Sequence, residues 1–256
     1  MYNKEELENI IAHVKEPLLV QHRYSEEELE NMPISLLKEH GFYPETPNSL
    51  VDIEMFAETI ADVIYTDLPD GYLGMTEFGY HKRPIIYISN KLSSPRTEEE
   101  FCKLRFVFAH ECGHVIMQNH LYEQACDRYK GQSALYAVNP ETPVGIAGKR
   151  HAVFYKDYSN YRWYEWQANT AGAHLLMPPE HLNNVILTCL NNEIRKPTAW
   201  GRVSPAWLLY KIYNALKSVF RVSQATAEIA TERYLKARPT LINDCACIAN
   251  HMLGYN

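Results

Sequence analysis

The sequence predicts an α+β protein, mainly helical, with one small β-sheet. Three observations predict it. Two runs rich in β-branched and aromatic residues, "YLGMTEF" (72–78) and "PIIYISN" (84–90), are joined by "GYHKR" and read as a hairpin. On both sides of that hairpin, apolar residues recur at helical spacings behind helix-capping pairs. Beyond residue 160, prolines punctuate a series of further helical patterns.

In chain order, Ser25 and Glu28 have capping-box spacing, and Pro33 and Gly41 punctuate the helical stretch after them. "YPETPNS" is a break rich in Pro, Asn and Ser. Ser49 with Asp52 opens a second helix, whose stripe of Val51, Met55, Ile60 and Val63 extends it through "IADVI". Pro84 suits an edge strand or the first residue of a strand. The apolar Ile85, Ile86 and Ile88 fit either a substrate-pairing edge or ordinary core pairing.

Thr97 and Glu100 form a third capping box, and the helix behind it is expected over about 98–118. Phe101, Leu104, Phe108, Cys112 and Val115 form its buried stripe. "NPETPVGIAGKR" is a loop by composition, and 154–166 is dense in tyrosine and tryptophan, suited to a substrate groove or to a packed cover over the helix. "WQANTAGAHLLM" is helical up to Pro178 and Pro179, and Pro179 opens a helix reaching about 193. "SPAWLLYKIYNALKSVF" and "SQATAEIATERYLK" are two more helices, the second read as a packing or substrate-docking helix rather than a DNA-reading one. Residues 1–48 are thus expected as an N-terminal helical extension, 49–238 as the main domain and 239–256 as a tail.

The bulk composition narrows the function classes. Hydrophobic residues make up 46% and charged residues 22%, enough apolar material for a real core. A net charge of −6, with no Lys/Arg cluster, argues against direct nucleic-acid binding. The charged N-terminus lacks the apolar region of a secretory signal, and no apolar run reaches membrane-spanning length, so a cytoplasmic protein is expected. Cys102, Cys112, Cys126, Cys189, Cys245 and Cys247 form no CxxC pair and are expected as reduced thiols.

"FAHECGHVIMQ" (108–118) carries the chemistry. His110 and His114 sit four apart, so both imidazoles project from one helix face toward one ion. Glu111, beside the first, is placed to act as a base on water. Two histidines on so apolar a helix need partners, and a shared metal satisfies them. A catalytic zinc takes three protein ligands and keeps a fourth position open. Glu165, among Trp163, Trp166 and Ala168, is the better third candidate. His120 lacks the downstream glycine turn, and His174 reads as a packed or outer histidine. Asn169, one turn after Glu165, is placed to hydrogen-bond a ligand.

"RFVFAHECGH" and "EWQANTAGAHLLMP" together resemble two motifs of the ImmA/IrrE family of zinc metallopeptidases. "DLPDGYLGM", "RPIIYISNKLSSPR" and "FRVSQATAEIATERY" are similar to further family segments, so the resemblance spans roughly residues 50–235. It implies a zincin-like α+β domain with additional C-terminal helices. It implies one Zn2+ held by His110, His114 and Glu165, with Glu111 as base. It further implies cleavage of a helix-turn-helix repressor as the partner protein. Two features depart from the family pattern: the long segment 119–160, read as a lid or substrate-selecting insertion, and the lack of a fused helix-turn-helix domain. The competing expectations are a general intracellular zinc peptidase and a non-catalytic, zinc-containing repressor-binding regulator, the latter needing a fourth ligand such as Cys112 or His174.

Overall fold

A computed structural model describes residues 23–78, 81–129, 134–138, 160–195 and 203–254. The sequence expectations for 1–22, for the 139–150 loop and for the aromatic residues 154–159 lie outside the described residues. The chain is a mixed α+β protein, mostly helical with a small sheet. It divides into two compact units, one within 1–43 and 51–176 and the other comprising 44–50 and 177–256. These boundaries differ from a division at 48 and 238, because the break at "YPETPNS" belongs to the second unit and the expected tail forms a helix within it.

The first unit begins with α1 (Glu26–Glu39), opened by the Ser25/Glu28 capping box. Pro33 does not interrupt it. Pro33 is buried with Leu29 and Leu37 on one face, and that packing outweighs the backbone bond a proline forgoes. The helix ends in a Schellman motif. Gly41 takes a positive φ of 75°, and Phe42 N–H donates to the Leu37 carbonyl at 2.8 Å.

Helix α2 (Ile53–Ile60) is capped by Asp52 accepting from Met55 N–H at 3.1 Å. Ser49 is not part of this cap; its hydroxyl bonds Thr46 at 2.8 Å. The helix also stops short of Val63. Arg83 donates to the carbonyls of Glu58 and Ala61 at the helix end and pairs with Asp62 at 3.1 Å. The β-prone "DVIYT" then forms β1 (Asp62–Thr66).

Strand β2 (Gly74–Phe78) and strand β3 (Ile85–Ser89) make the expected antiparallel pair, with Met75 opposite Tyr87. A fourth strand, β4 (Ala134–Val138), pairs antiparallel with β2, and the sheet order is β1-β3-β2-β4. Of the two readings open for 84–90, the structure has ordinary sheet pairing and not an exposed edge. β1 runs parallel to β3 on its other side, so β3 is interior, and Pro84 sits just before its first residue.

Helix α3 (Glu98–Tyr129) is 32 residues long, well beyond the expected end at 118. No Gly or Pro lies between Gly113 and Gly131 to stop it. Thr97 and Glu100 form its capping box, with Glu100 N–H donating to Thr97 Oγ1 at 3.1 Å and Thr97 N–H to the Glu100 carboxylate at 3.2 Å. Every residue from Val107 to Gln118 is buried, so the stripe of its first turns widens into burial all round. Its main neighbour is α4 (Asn160–Leu176).

The crossing of these two helices is unusually close. A Cβ on Gly113 would overlap the backbone of Ala168, and one on Gly172 would lie 2.7 Å from the Ala109 carbonyl oxygen. Each helix thus offers an alanine and a glycine four apart, Ala109 with Gly113 and Ala168 with Gly172, all buried. The expectation that Gly113 allows close approach holds, and Gly172 is its reciprocal.

The second unit holds α5 (Pro179–Arg195), α6 (Pro205–Phe220), α7 (Gln224–Lys236) and α8 (Leu241–Met252). Ser204 and Ser223 cap α6 and α7, and Arg221 turns the chain between them with a φ of 51°. In α7, Ala227, Ala230, Thr231 and Tyr234 are buried, which is the signature of a packing helix. Five described cysteines, Cys102, Cys112, Cys189, Cys245 and Cys247, are free thiols. Among the described residues, no helix is long and apolar enough to cross a membrane.

The helix crossing yields a prediction with an inverted sign. Gly→Ala inside a helix ordinarily stabilises by about 0.5–1 kcal/mol. Gly113→Ala and Gly172→Ala must instead push α3 and α4 apart and should cost about 1–3 kcal/mol each. A urea midpoint lower than wild type checks this; a midpoint at or above wild type contradicts the close crossing.

Candidate metal centre

The crossing sets α4 side chains against the buried turn of α3. His110 and His114 are fully buried, and their Nε2 atoms lie 2.9 Å apart. Glu165 comes from α4. Its Oε2 is 3.2 Å from His110 Nε2, and its Oε1 is 3.4 Å from His114 Nε2. The ligand atoms of these three residues all fall within 4.8 Å of one another, a cluster able to hold a metal ion. The Glu165 side chain is 17% exposed, while both histidine side chains are closed off.

The outer nitrogens decide what the inner ones can do. His110 Nδ1 lies 2.9 Å from Asn169 Oδ1, and His114 Nδ1 lies 2.8 Å from Gln118 Oε1. Amide oxygens only accept, so each Nδ1 carries the proton and donates. Each Nε2 is then left with a lone pair. Two imine nitrogens and a carboxylate converge with no proton donor among them, and Glu165 Oε1 is buried without a hydrogen-bond partner among the described residues. A cation satisfies such a set, and nitrogen and carboxylate oxygen are donors that suit divalent first-row metals.

Glu111 points elsewhere on the same turn. Its Oε2 accepts from Thr76 Oγ1, on β2, at 2.6 Å. Its Oε1 is buried and has no hydrogen-bond partner among the described residues. Burial drives its carboxyl up to about 8, with the Thr76 hydrogen bond pulling the other way. Strand β2 makes room for it at Gly74, where a Cβ would lie 2.5 Å from Glu111 Oε1.

The sequence-predicted residues His110, His114 and Glu165 are brought together, with Asn169 behind His110 as expected. His120, His174 and Cys112 are not among the clustered donors. His120 instead meets Tyr24, whose hydroxyl lies 2.9 Å from its Nε2. Cys112 is buried, and its thiol is driven well above the ordinary range by that burial. Sequence reasoning missed Thr76, Gly74, Gln118 and Gln167. Gln118 carried a usable signal: it is a polar residue on an apolar helix, four positions after His114 and so on the same face. Trp163 and Trp166, flanking Glu165, stack at 4.7 Å, so the described end of the aromatic run packs upon itself.

No protein-family model matches the chain, and no curated protein matches it.

Elemental analysis of purified protein should find one divalent metal per chain. Glu165→Ala should weaken metal binding by more than the roughly 10–100-fold that loss of an outer hydrogen-bond partner costs. Unchanged stoichiometry and affinity in that variant would remove Glu165 from the centre.

Proposed function

We propose that the chain is a zinc-dependent endopeptidase built on a zincin-like metallopeptidase domain, acting on an intracellular protein of the helix-turn-helix repressor class. The observation that carries the reading is the pairing of a three-donor cluster with a base-competent carboxylate. Glu111 shares the turn of helix with both histidines, yet one of its oxygens is tied to Thr76 and the other is left unpartnered. A merely structural metal site needs no such group. Only three donors cluster among the described residues, which favours an open, catalytic coordination over a closed four-ligand one. The same count speaks against the non-catalytic regulator, since neither Cys112 nor His174 joins.

His110, His114 and Glu165 would hold the ion. Bound zinc supplies Lewis acidity, which polarises a carbonyl and brings the pKa of water down to about 7. The chain's own part is proton handling and positioning. Thr76 pins Glu111 Oε2, so Oε1 is the atom that takes a proton from water and later delivers it to the leaving amine. Burial keeps that carboxylate poor in competing hydrogen bonds, with Oε1 left without a partner among the described residues.

The substrate class rests on the resemblance of "RFVFAHECGH" and "EWQANTAGAHLLMP" to ImmA/IrrE peptidases, and a cytoplasmic site of action goes with it. Zinc over iron rests on the same resemblance and on Glu111. A two-histidine, one-carboxylate site also suits non-haem iron, but that chemistry has no need of a general base.

Glu111→Gln should keep its zinc and lower cleavage of a co-expressed helix-turn-helix repressor by about 10²–10⁴-fold. Full activity in that variant sinks the hydrolytic assignment, and iron in place of zinc in the metal analysis sinks the choice of metal. Thr76→Val should retain zinc and KM while kcat falls by up to about 100-fold, since it frees the Glu111 carboxylate to turn.

A further inference from the structure

Gln118 and Gln167 are both fully buried, one on α3 and one on α4. Gln118 Nε2 donates to Gln167 Oε1 at 3.1 Å. With Gln167 presenting its oxygen, that bond sets which end of the Gln118 amide faces which neighbour. With its NH2 group committed to Gln167, its oxygen is the end turned to His114, and Oε1 lies 2.8 Å from His114 Nδ1. If the amide were turned over, its NH2 would face Nδ1, the ring would have to place its proton on Nε2, and the lone pair aimed at the cluster would vanish.

We propose that Gln118 and Gln167 form a buried clasp between α3 and α4 that holds the His114 imidazole as its Nδ1–H tautomer, with Gln167 a positioning residue acting through Gln118. The proposal rests on the reading of His110, His114 and Glu165 as a metal centre and extends it to a residue two bonds removed from any ligand. Gln167 lies two positions after Glu165 on the same helix. The helix that brings the carboxylate ligand therefore also brings the group that orients an imidazole ligand of the opposite helix. Loss of the clasp leaves all three ligands in place but lets the His114 ring turn or change tautomer.

The test uses the full chain with Gln118→Leu, Gln118→Glu and Gln167→Leu. Zinc affinity is measured by competition with a chelator, and the His114 tautomer by 15N NMR of the imidazole in metal-free protein at alkaline pH. Gln118→Leu should bind zinc about 10–100-fold more weakly. Gln167→Leu should show part of that loss, although its side chain never meets His114. Gln118→Glu, which still offers an acceptor to Nδ1–H, should restore affinity. Wild-type His114 should carry its proton on Nδ1 and lose that preference in both leucine variants.

A wild-type proton on Nε2 overturns the clasp. So does wild-type zinc affinity in both leucine variants, even if their metal-free forms unfold more easily, because the amides would then be packing alone. Failure of the wild type to bind zinc would sink the metal reading by itself, while the tautomer measurement still decides the clasp.

Discussion

The close crossing of α3 and α4 is the constraint on which the rest of the first unit depends. Ala109 and Gly113 face Ala168 and Gly172, and nothing larger than hydrogen fits at the two glycines. This contact excludes water from the turn that carries His110 and His114, and it brings Glu165, Gln167 and Asn169 within hydrogen-bonding reach of α3. Exclusion of water creates a debt as well as an opportunity. A buried imidazole has two nitrogens to satisfy, and an unsatisfied polar group in such a place costs on the order of 1–3 kcal/mol. Asn169 and Gln118 settle the outer nitrogens. The inner ones are left facing one another.

The opposite wall of the turn comes from the sheet. β2 presents Gly74 and Thr76 to Glu111, the first removing bulk and the second donating a hydrogen bond. The sheet thereby fixes a carboxylate with one oxygen satisfied and one not. Polar atoms in protein interiors are rarely left so. Here helix and strand cooperate to keep one open, beside a metal-competent cluster. The long α3 is the element common to both walls. Its burial all round from Val107 to Gln118 follows from being packed between β2 and α4 at once.

What could be read in the sequence follows the range of the interaction. The Ser25/Glu28 and Thr97/Glu100 caps are local, and both form as their spacing dictates. The histidine pair is one turn of helix, and its shared direction follows from helical geometry. Glu165 is 51 residues beyond His114, and it was legible only because its own helix carries a recognisable surrounding pattern. β1 and β4 were not legible. "ADVI" continues a helical stripe until Arg83, some twenty residues on, takes the last carbonyls of α2 and the strand finds β3. Thr76, Gly74 and Gln167 are ordinary residues for a strand or a helix. They acquire a role only through partners distant in sequence, which periodicity cannot supply.

A core that merely tolerated two histidines would pair them differently. Each ring would donate from one nitrogen and accept at the other, and protein groups would meet both needs. Here the two amide oxygens, on Asn169 and Gln118, take both protons outward. The space between the rings and Glu165 is bounded by two nitrogen lone pairs and two carboxylate oxygens, all of them acceptors. Mutual repulsion among such atoms grows as water is excluded, because the local dielectric falls. The packing that buries the cluster and the hydrogen bonds that polarise it thus act in the same direction: both raise the cost of leaving the centre without positive charge. A ligand that binds only the folded chain returns that cost as stability, by about 4 kcal/mol at a thousandfold excess over its dissociation constant. Were a cation to bind between α3 and α4, its binding and the folding of the polar interior would be one equilibrium.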